Sequence, residues 1–267
     1  MVGHVTAPVA ALLAALPAWA TLVRAPNPGP MTLDGTNTWV LRPPGASHGV
    51  VVDPGPGDEG HLAAVASHAP IALVLVTHGH PDHVEGLDRL VELLGGVPVV
   101  AAGGSPAPDA VPGLAIEMIS TPGHTSDSVS YLVRVGNERA VLTGDTILGR
   151  GTTVVAWPDG DLAAYLASLR RLAELGPAPV LPGHGPALAD CAGAATYYLQ
   201  HRLARLDQVR AARSAGAATA PDVVKAVYAD VDRALWPAAE LSVRAQLAYL
   251  EAQARESRPP APELDRP

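Results

Sequence analysis

Seven consecutive residues, Thr77-His78-Gly79-His80-Pro81-Asp82-His83, constrain this chain more than any other feature. They follow an apolar run, Ile71–Val76, and precede a stretch in which Val84, Leu87, Val91 and Leu94 share one helical face. An α/β protein presents its chemistry in this way, at the carboxyl end of a strand that passes through a loop into a helix. Clustered imidazoles repel one another once protonated and need partners once buried. A divalent cation answers both demands. The rest of the chain must therefore fold so that this loop meets further donors.

Three other segments offer such donors, each just past a short apolar run. Ile119-Ser120-Thr121-Pro122-Gly123-His124 places His124 in a Gly/Pro turn. Val141-Leu142-Thr143-Gly144-Asp145 places a carboxylate, and Val180-Leu181-Pro182-Gly183-His184-Gly185 another imidazole. Alone, each reads as a loop residue with a local hydrogen bond. Together with the histidine loop they put His78, His80, Asp82, His83, His124, Asp145 and His184 at strand ends, and one shared site edge is the economical explanation. The chain has a single cysteine, Cys191, which excludes an internal disulfide framework and any Cys-based cage. A metal here is held by His and carboxylate, a set that suits zinc and also admits iron or manganese.

The remaining pattern is that of an α/β protein, short apolar runs alternating with Gly/Pro turns and amphipathic stretches. Strands are predicted at Thr38–Leu41, Gly49–Val52, Ile71–Val76, Val97–Ala101, Ile116–Ser120, Ser128–Val135, Ala140–Leu142 and Val180–Leu181. Helices are predicted at Gly60–His68, Val84–Leu94 and Asp161–Leu175, the last capped by Asp161. After residue 190 the chain turns helical. Thr196–Arg213 is read with Leu199, Leu203 and Leu206 inward and Arg202, Arg205 and Arg210 outward, followed by helices opened by Pro221 and Pro237. Residues 1–195 then form the main domain, and 196–267 a small helical or winged-helix appendage with its tail. Ala7–Ala20 lacks a basic flank, is interrupted by Pro8 and Pro17, and is too short to span a bilayer. It reads as an N-terminal helix or extended arm, and a cytoplasmic protein without membrane association is expected.

The flanks of the histidine loop narrow the reading. The chain resembles the metallo-β-lactamase fold superfamily, and the resemblance implies a four-layer αββα sandwich with a dinuclear site at one edge of its paired sheets. It further implies that His78, His80 and His124 hold one ion, that Asp82, His83 and His184 hold the other, and that Asp145 bridges them. Gly86 also matches. Asn27–Thr38, Ile147–Thr153 and His201-Arg202 are similar to one branch, that of mitochondrial lactamase-beta-like endoribonuclease with its appended winged helix. Asp53, in Val52-Asp53-Pro54-Gly55, resembles the superfamily's first motif, which implies an acceptor that orients the histidine loop. From the residues alone it is also an Asx-turn before Pro54. Arg150 either clamps an anionic substrate or staples its Gly-rich loop. His201 packs or caps near the domain junction, and His4, His48, His61 and His68 are read as surface.

Two ions lower the pKa of a shared water toward neutrality, so the expected reaction is hydrolysis by a metal-bridging hydroxide, with Asp82 orienting the nucleophile and managing its proton. No Gly-x-Ser-x-Gly elbow is present, and Cys191 has no activating motif. The branch resemblance implies cleavage of single-stranded RNA. Charge points elsewhere. The chain carries −8 overall, split as −9 over residues 1–196 and +1 beyond, and two divalent ions would still leave the first part at −5. The exception is the face formed by Arg202, Arg205, Arg210 and Arg213, which reads either as a surface for a nucleic-acid backbone or, more commonly, as a solvated helix face. The four Trp and six Tyr are not clustered as a base-stacking platform would need. The alternative is a small-molecule ester or thioester hydrolase, as in glyoxalase II-like members of the fold. A third reading makes the appendage a nucleic-acid- or partner-binding module, with incidental hydrolysis.

Overall fold

The computed structural model describes residues 16–104 and 110–257. The arm expected over Ala7–Ala20 falls largely outside the described residues. So do most of the loop expected at Gly103–Pro108 and all of the tail Arg258–Pro267.

Two sheets face each other. The first is ordered β1(Ala20–Arg24)-β2(Asn37–Leu41)-β3(Gly49–Val52)-β4(Ile71–Leu75)-β5(Val99–Val100), antiparallel through β3 and parallel from β3 to β5. The second is β6(Ala115–Ser120)-β7(Val129–Val135)-β8(Glu138–Gly144)-β9(Val180–Pro182), in which β6, β8 and β9 run in the same direction. The central strands of both sheets are covered on both faces and so read as near-continuous apolar runs. Alternation sorts the residues. Trp39, Leu41, Val50, Val52, Leu73 and Leu75 meet Tyr131, Val133, Ala140 and Leu142 between the sheets. Val40, Val51 and Val74 point outward against α1(Glu59–Ala66) and α3(Leu87–Leu93). Leu132, Val141 and Val180 point the other way, against α4(Leu162–Glu174) and α5(Cys191–Ser214). The result is the expected αββα sandwich.

The C-terminal part is helical, as expected. The far end of α5 packs through Val209 and Ala212 on α6(Ala220–Val227) and α7(Trp236–Glu256), forming a separate cluster around Val223, Val224 and Val243. Thr219 and Asp222 close a capping box at the start of α6, and Pro221 and Pro237 lie in the first turns of α6 and α7.

Three local readings are corrected. β1 has no counterpart among the predicted strands; it is an edge strand recruited by its register with β2, Ala20 opposite Leu41 and Arg24 opposite Asn37. The helix expected over Val84–Leu94 divides into α2(Pro81–Val84) and α3. The division falls at Gly86, whose N–H donates to Gly55 O at 3.0 Å instead of continuing a helix. A Cβ there would lie 2.6 Å from Leu62 Cδ2 and 2.8 Å from Pro56 O, so only glycine allows this close approach. On α5 the inward face is rotated. Arg202 is buried at 3 % exposure while Leu203 is 40 % exposed, and the inward row is Tyr198, Arg202, Leu206 and Val209.

Candidate metal centre

Four strand ends converge on one edge of the sandwich. The loop after β4 carries His78 and His80, the short helix α2 that follows carries Asp82 and His83, and the turn after β6 carries His124. Asp145 follows β8 and His184 follows β9. The parallel pairing of β8 with β9 sets the last two side by side, with Gly183 N donating to Gly144 O at 2.9 Å. All seven donors picked from the sequence come together. His80 Nδ1 lies 3.1 Å from His78 Nε2 and 3.0 Å from His124 Nε2. His184 Nε2 lies 3.2 Å from His83 Nε2 and 3.1 Å from Asp82 Oδ2. Asp145 reaches both groups, with Oδ2 at 3.8 Å from His124 Nε2 and 3.4 Å from His184 Nε2.

The outer nitrogen of each buried ring fixes which inner nitrogen carries a lone pair. His83 Nδ1 donates to Asp53 Oδ2 at 2.8 Å and His124 Nδ1 to Val154 O at 2.6 Å, while His184 Nδ1 faces Gly35 O at 3.3 Å. Thr77 Oγ1 gives its only proton to Asp53 Oδ2, so it accepts from His78 Nδ1, 3.1 Å away. The Nε2 atoms of His78, His83, His124 and His184 are therefore all inward lone pairs when the rings are neutral. Nitrogen lone pairs 3.2 Å apart cannot hydrogen-bond each other, and they require a cation between them. Donors at about 2.0–2.1 Å around a tetrahedral ion stand about 3.3 Å from one another, which is the spacing found here. Asp145 Oδ1 has no hydrogen-bond partner, although it is buried with His83 Nε2 at 3.4 Å. The donor set thus fits divalent metal ions, and three overlapping trios can each hold one: His78, His80 and His124; His78, His83 and Asp145; Asp82, His83 and His184.

Without metal the same crowding polarises the cluster. Burial and the neighbouring His83 push His78 well below the ordinary histidine range, and burial lowers His124. Burial alone would raise Asp145, but His184 and His83 pull it well below the carboxylate range. Burial opposes charge on His83, yet Asp145 and Asp53 hold its pKa well above 6.5, and against the same burial Asp145 lifts His184 to about 9.

Supporting contacts explain the flanking motifs. Asp53 sits at φ 55° and accepts from Thr77 N and Thr77 Oγ1, each at 2.7 Å, as well as from His83. Asn37 Nδ2 donates to Pro182 O and Gly185 O at 3.0 and 2.8 Å, and Trp39 Nε1 donates to Pro182 O, so β2 holds the His184 turn. Thr38 Oγ1 donates to Asp53 O at 2.6 Å. A Cβ on Gly183 would stand 2.5 Å from Asp145 Oδ1 and 2.7 Å from His83 Cε1. Asp53 is the acceptor expected from sequence, while the other partners carry no individual signal there. Asn37 and Thr38 lie in the Asn27–Thr38 motif, but Gly35 O and Val154 O are backbone atoms with no residue signature.

Other predicted residues fall as follows. Arg150 forms a two-pronged pair with Asp34 and lines a cavity beside the cluster. His201 lines the same cavity, stacked on Tyr197; burial, then Arg202 and Arg205, push it down to about 4. His61 is not a surface residue. It is 4 % exposed, with Nε2 2.9 Å from Thr38 Oγ1 and 3.0 Å from Pro54 O, because α1 packs it under the Asp53 turn. The outward arginine face is largely engaged within the molecule. Arg205 donates to Val227 O, Arg210 to Asp207 and Gln253, and Arg213 to Ala217 O and Ala218 O. Among the described residues, no helix is long and apolar enough to cross a membrane.

The cavity has a volume of about 310 Å³ and runs from His124 and Asp145 to the C-terminal helices. Leu33, Leu148, Val231, Leu235 and Ala238 give it apolar walls, and Arg202 and Arg205 lie along it.

Comparison with known proteins agrees with this geometry. The Metallo-beta-lactamase superfamily profile matches residues 31–113 and 109–184, and the Beta-lactamase associated winged helix domain matches 219–256. A Drosophila melanogaster protein named Beta-lactamase-like protein 2 homolog is 33% identical over 261 residues, 86% of each chain. An Aspergillus fumigatus protein named Atrochrysone carboxyl ACP thioesterase is 36% identical over 181 residues, 61% of this chain and 55% of that one. The crystal structure of a metallo-beta-lactamase family protein from Thermus thermophilus superposes with a TM-score of 0.72 at 21% identity, over 90% of this chain and 95% of the other. The chain belongs to the metallo-beta-lactamase superfamily, with the associated winged helix domain over residues 219–256.

Proposed function

We propose that this protein is a dinuclear metal-dependent hydrolase of small-molecule thioesters or esters. His78, His80 and His124 would hold one ion and Asp82, His83 and His184 the other, with Asp145 between them and zinc as the metal. When bound, such ions polarise the scissile group and acidify water. The observation that carries the substrate class is the cavity: a cleft of about 310 Å³ with largely apolar walls that ends on His124 and Asp145.

The chain's own residues have distinct tasks. Asp53 and the carbonyls of Val154 and Gly35 hold three rings with their Nε2 lone pairs inward. Asp82 is the more water-accessible carboxylate, its side chain 28 % exposed against 11 % for Asp145. It is assigned to orient the attacking water and take its proton. Water adds to the acyl carbon, the C–S or C–O bond breaks, and the products are a carboxylic acid and a thiol or alcohol. Residues 1–195 are assigned as the catalytic domain that supplies the seven donors and 196–267 as its appendage, whose residues from His201 to Ser242 wall the far side of the cavity.

Cleavage of single-stranded RNA is the competing reading, favoured by Arg150, Arg202 and Arg205 along the cavity. It is weakened by the internal engagement of the other α5 arginines. N-acetylcysteamine thioesters, p-nitrophenyl esters and labelled single-stranded RNA, assayed beside an Asp82→Asn His83→Ala variant, decide between them. Thioester or ester turnover lost in the variant supports the proposal; RNA cleavage alone, lost in the variant, overturns it. Metal content close to two ions per chain is expected, and one or none after metal-replete expression would sink the dinuclear site.

A further inference from the structure

Arg202 is the one arginine of α5 that the fold buries, at 3 % exposure, and the described residues give it no counter-charge. No carboxylate or carbonyl accepts from its guanidinium, and Nε and Nη2 are buried without any hydrogen-bond partner. The Tyr165 ring lies against it, 5.5 Å from the guanidinium carbon. A buried cation left unpaired is among the costliest features a fold can carry, and folded proteins pair such groups or place them where a ligand does so. Arg202 is in the second position, because it lines the cavity that reaches His124 and Asp145. The neighbouring cations do not duplicate it: Arg150 is neutralised by Asp34, and Arg205 donates to Val227 O and stacks on Tyr228 at 4.5 Å.

We propose that Arg202 is the anion-binding residue of this cavity, so that the substrate is an ester or thioester whose apolar body ends in a carboxylate or phosphate seated on the Arg202 guanidinium. The planar fork of an arginine suits both groups. The apolar walls given by Leu148, Val231 and Leu235 exclude water from the pair and strengthen it. This narrows the hydrolase reading and rests on it for the choice of substrate, but not for the binding site itself.

The test uses the metal-loaded, full-length protein and the variants Arg202→Met and Arg89→Gln. The second removes an exposed arginine on α3, paired with Glu59 and Glu92, as a charge control. Glutarate and inorganic phosphate are titrated calorimetrically. Arg202→Met is expected to weaken binding of at least one of them by about tenfold or more, and Arg89→Gln by less than about twofold. Glutarate alone identifies a carboxylate terminus and phosphate alone a phosphate terminus. Binding of neither to the parent protein, or equal binding to Arg202→Met, overturns the proposal. In turnover, the preference for glutaryl- over valeryl-N-acetylcysteamine is expected to fall by about tenfold in Arg202→Met; an unchanged preference overturns it as well. If no thioester is hydrolysed, the hydrolase reading fails while the titrations still decide the site. Thermal unfolding separates a structural role, since Arg202→Met should melt at or above the parent temperature, and a marked drop would overturn the assignment.

Discussion

Replacing Asp53 with Asn is the sharpest probe of how the site is held. Asp53 is 2 % exposed and accepts three hydrogen bonds, from Thr77 N, Thr77 Oγ1 and His83 Nδ1. Its backbone, at φ 55°, suits Asn as well as Asp, so the substitution perturbs chemistry and not the turn. Asn keeps one acceptor oxygen and turns an NH₂ toward whatever the other carboxylate oxygen served. If its oxygen keeps Thr77 N–H, the amide meets His83 Nδ1–H donor to donor, and His83 must move its proton to Nε2, where the lone pair is needed. Two charge-assisted bonds at about 1.5 kcal/mol each put the cost at about 3 kcal/mol in the metal-free protein. The tautomer change should also weaken metal binding by about 10–100-fold. Urea unfolding of chelator-treated protein measures the first, and competition with a chromophoric chelator the second. A variant within about 0.5 kcal/mol of the parent, with metal affinity changed less than about threefold, would refute the claim that Asp53 sets the His83 tautomer.

Other consequences follow from the same contacts. Gly183→Ala places a methyl 2.5 Å from Asp145 Oδ1 and 2.7 Å from His83 Cε1, and should reduce metal content while circular dichroism stays native-like. Ser242→Ala removes the acceptor of Val155 N at 3.2 Å, one residue from the carbonyl that holds His124. A loss of about 1 kcal/mol in urea is expected, together with weaker metal retention during dialysis. His61 gives a pH signature. Burial holds its pKa below 6.5 against the opposing Pro54 carbonyl and Asp58, and its Nδ1 has no partner to receive a new proton. The unfolded chain then binds that proton more readily, so the contribution is complete above about pH 6.5 and is lost as pH falls below it. The urea midpoint of the parent should therefore drop more steeply than that of His61→Gln between about pH 7 and about pH 5; parallel curves would contradict this.

How much of this could be read from sequence depends on where the determining atoms lie. The paired sheets were legible because strands covered on both faces are apolar without interruption and start just after a Gly or Pro; the runs that follow Gly49 and Pro70 are examples. β1 was not, since its half-exposed alternation becomes a strand only against β2. The seven donors were legible because imidazoles and carboxylates are side-chain chemistry, whereas two of the acceptors that orient them, Val154 O and Gly35 O, belong to the backbone. On α5, two rows satisfy the helical period. Leu199, Leu203 and Leu206 form one, and Tyr198, Arg202, Leu206 and Val209 the other; hydropathy alone selects the first. The fold selects the second, placing an arginine where pattern demands an apolar residue and exposing Leu203 instead. Local rules break in this way where a group serves something other than the core. The position at which the periodic reading of α5 fails is also the position at which the cavity holds an unpaired cation.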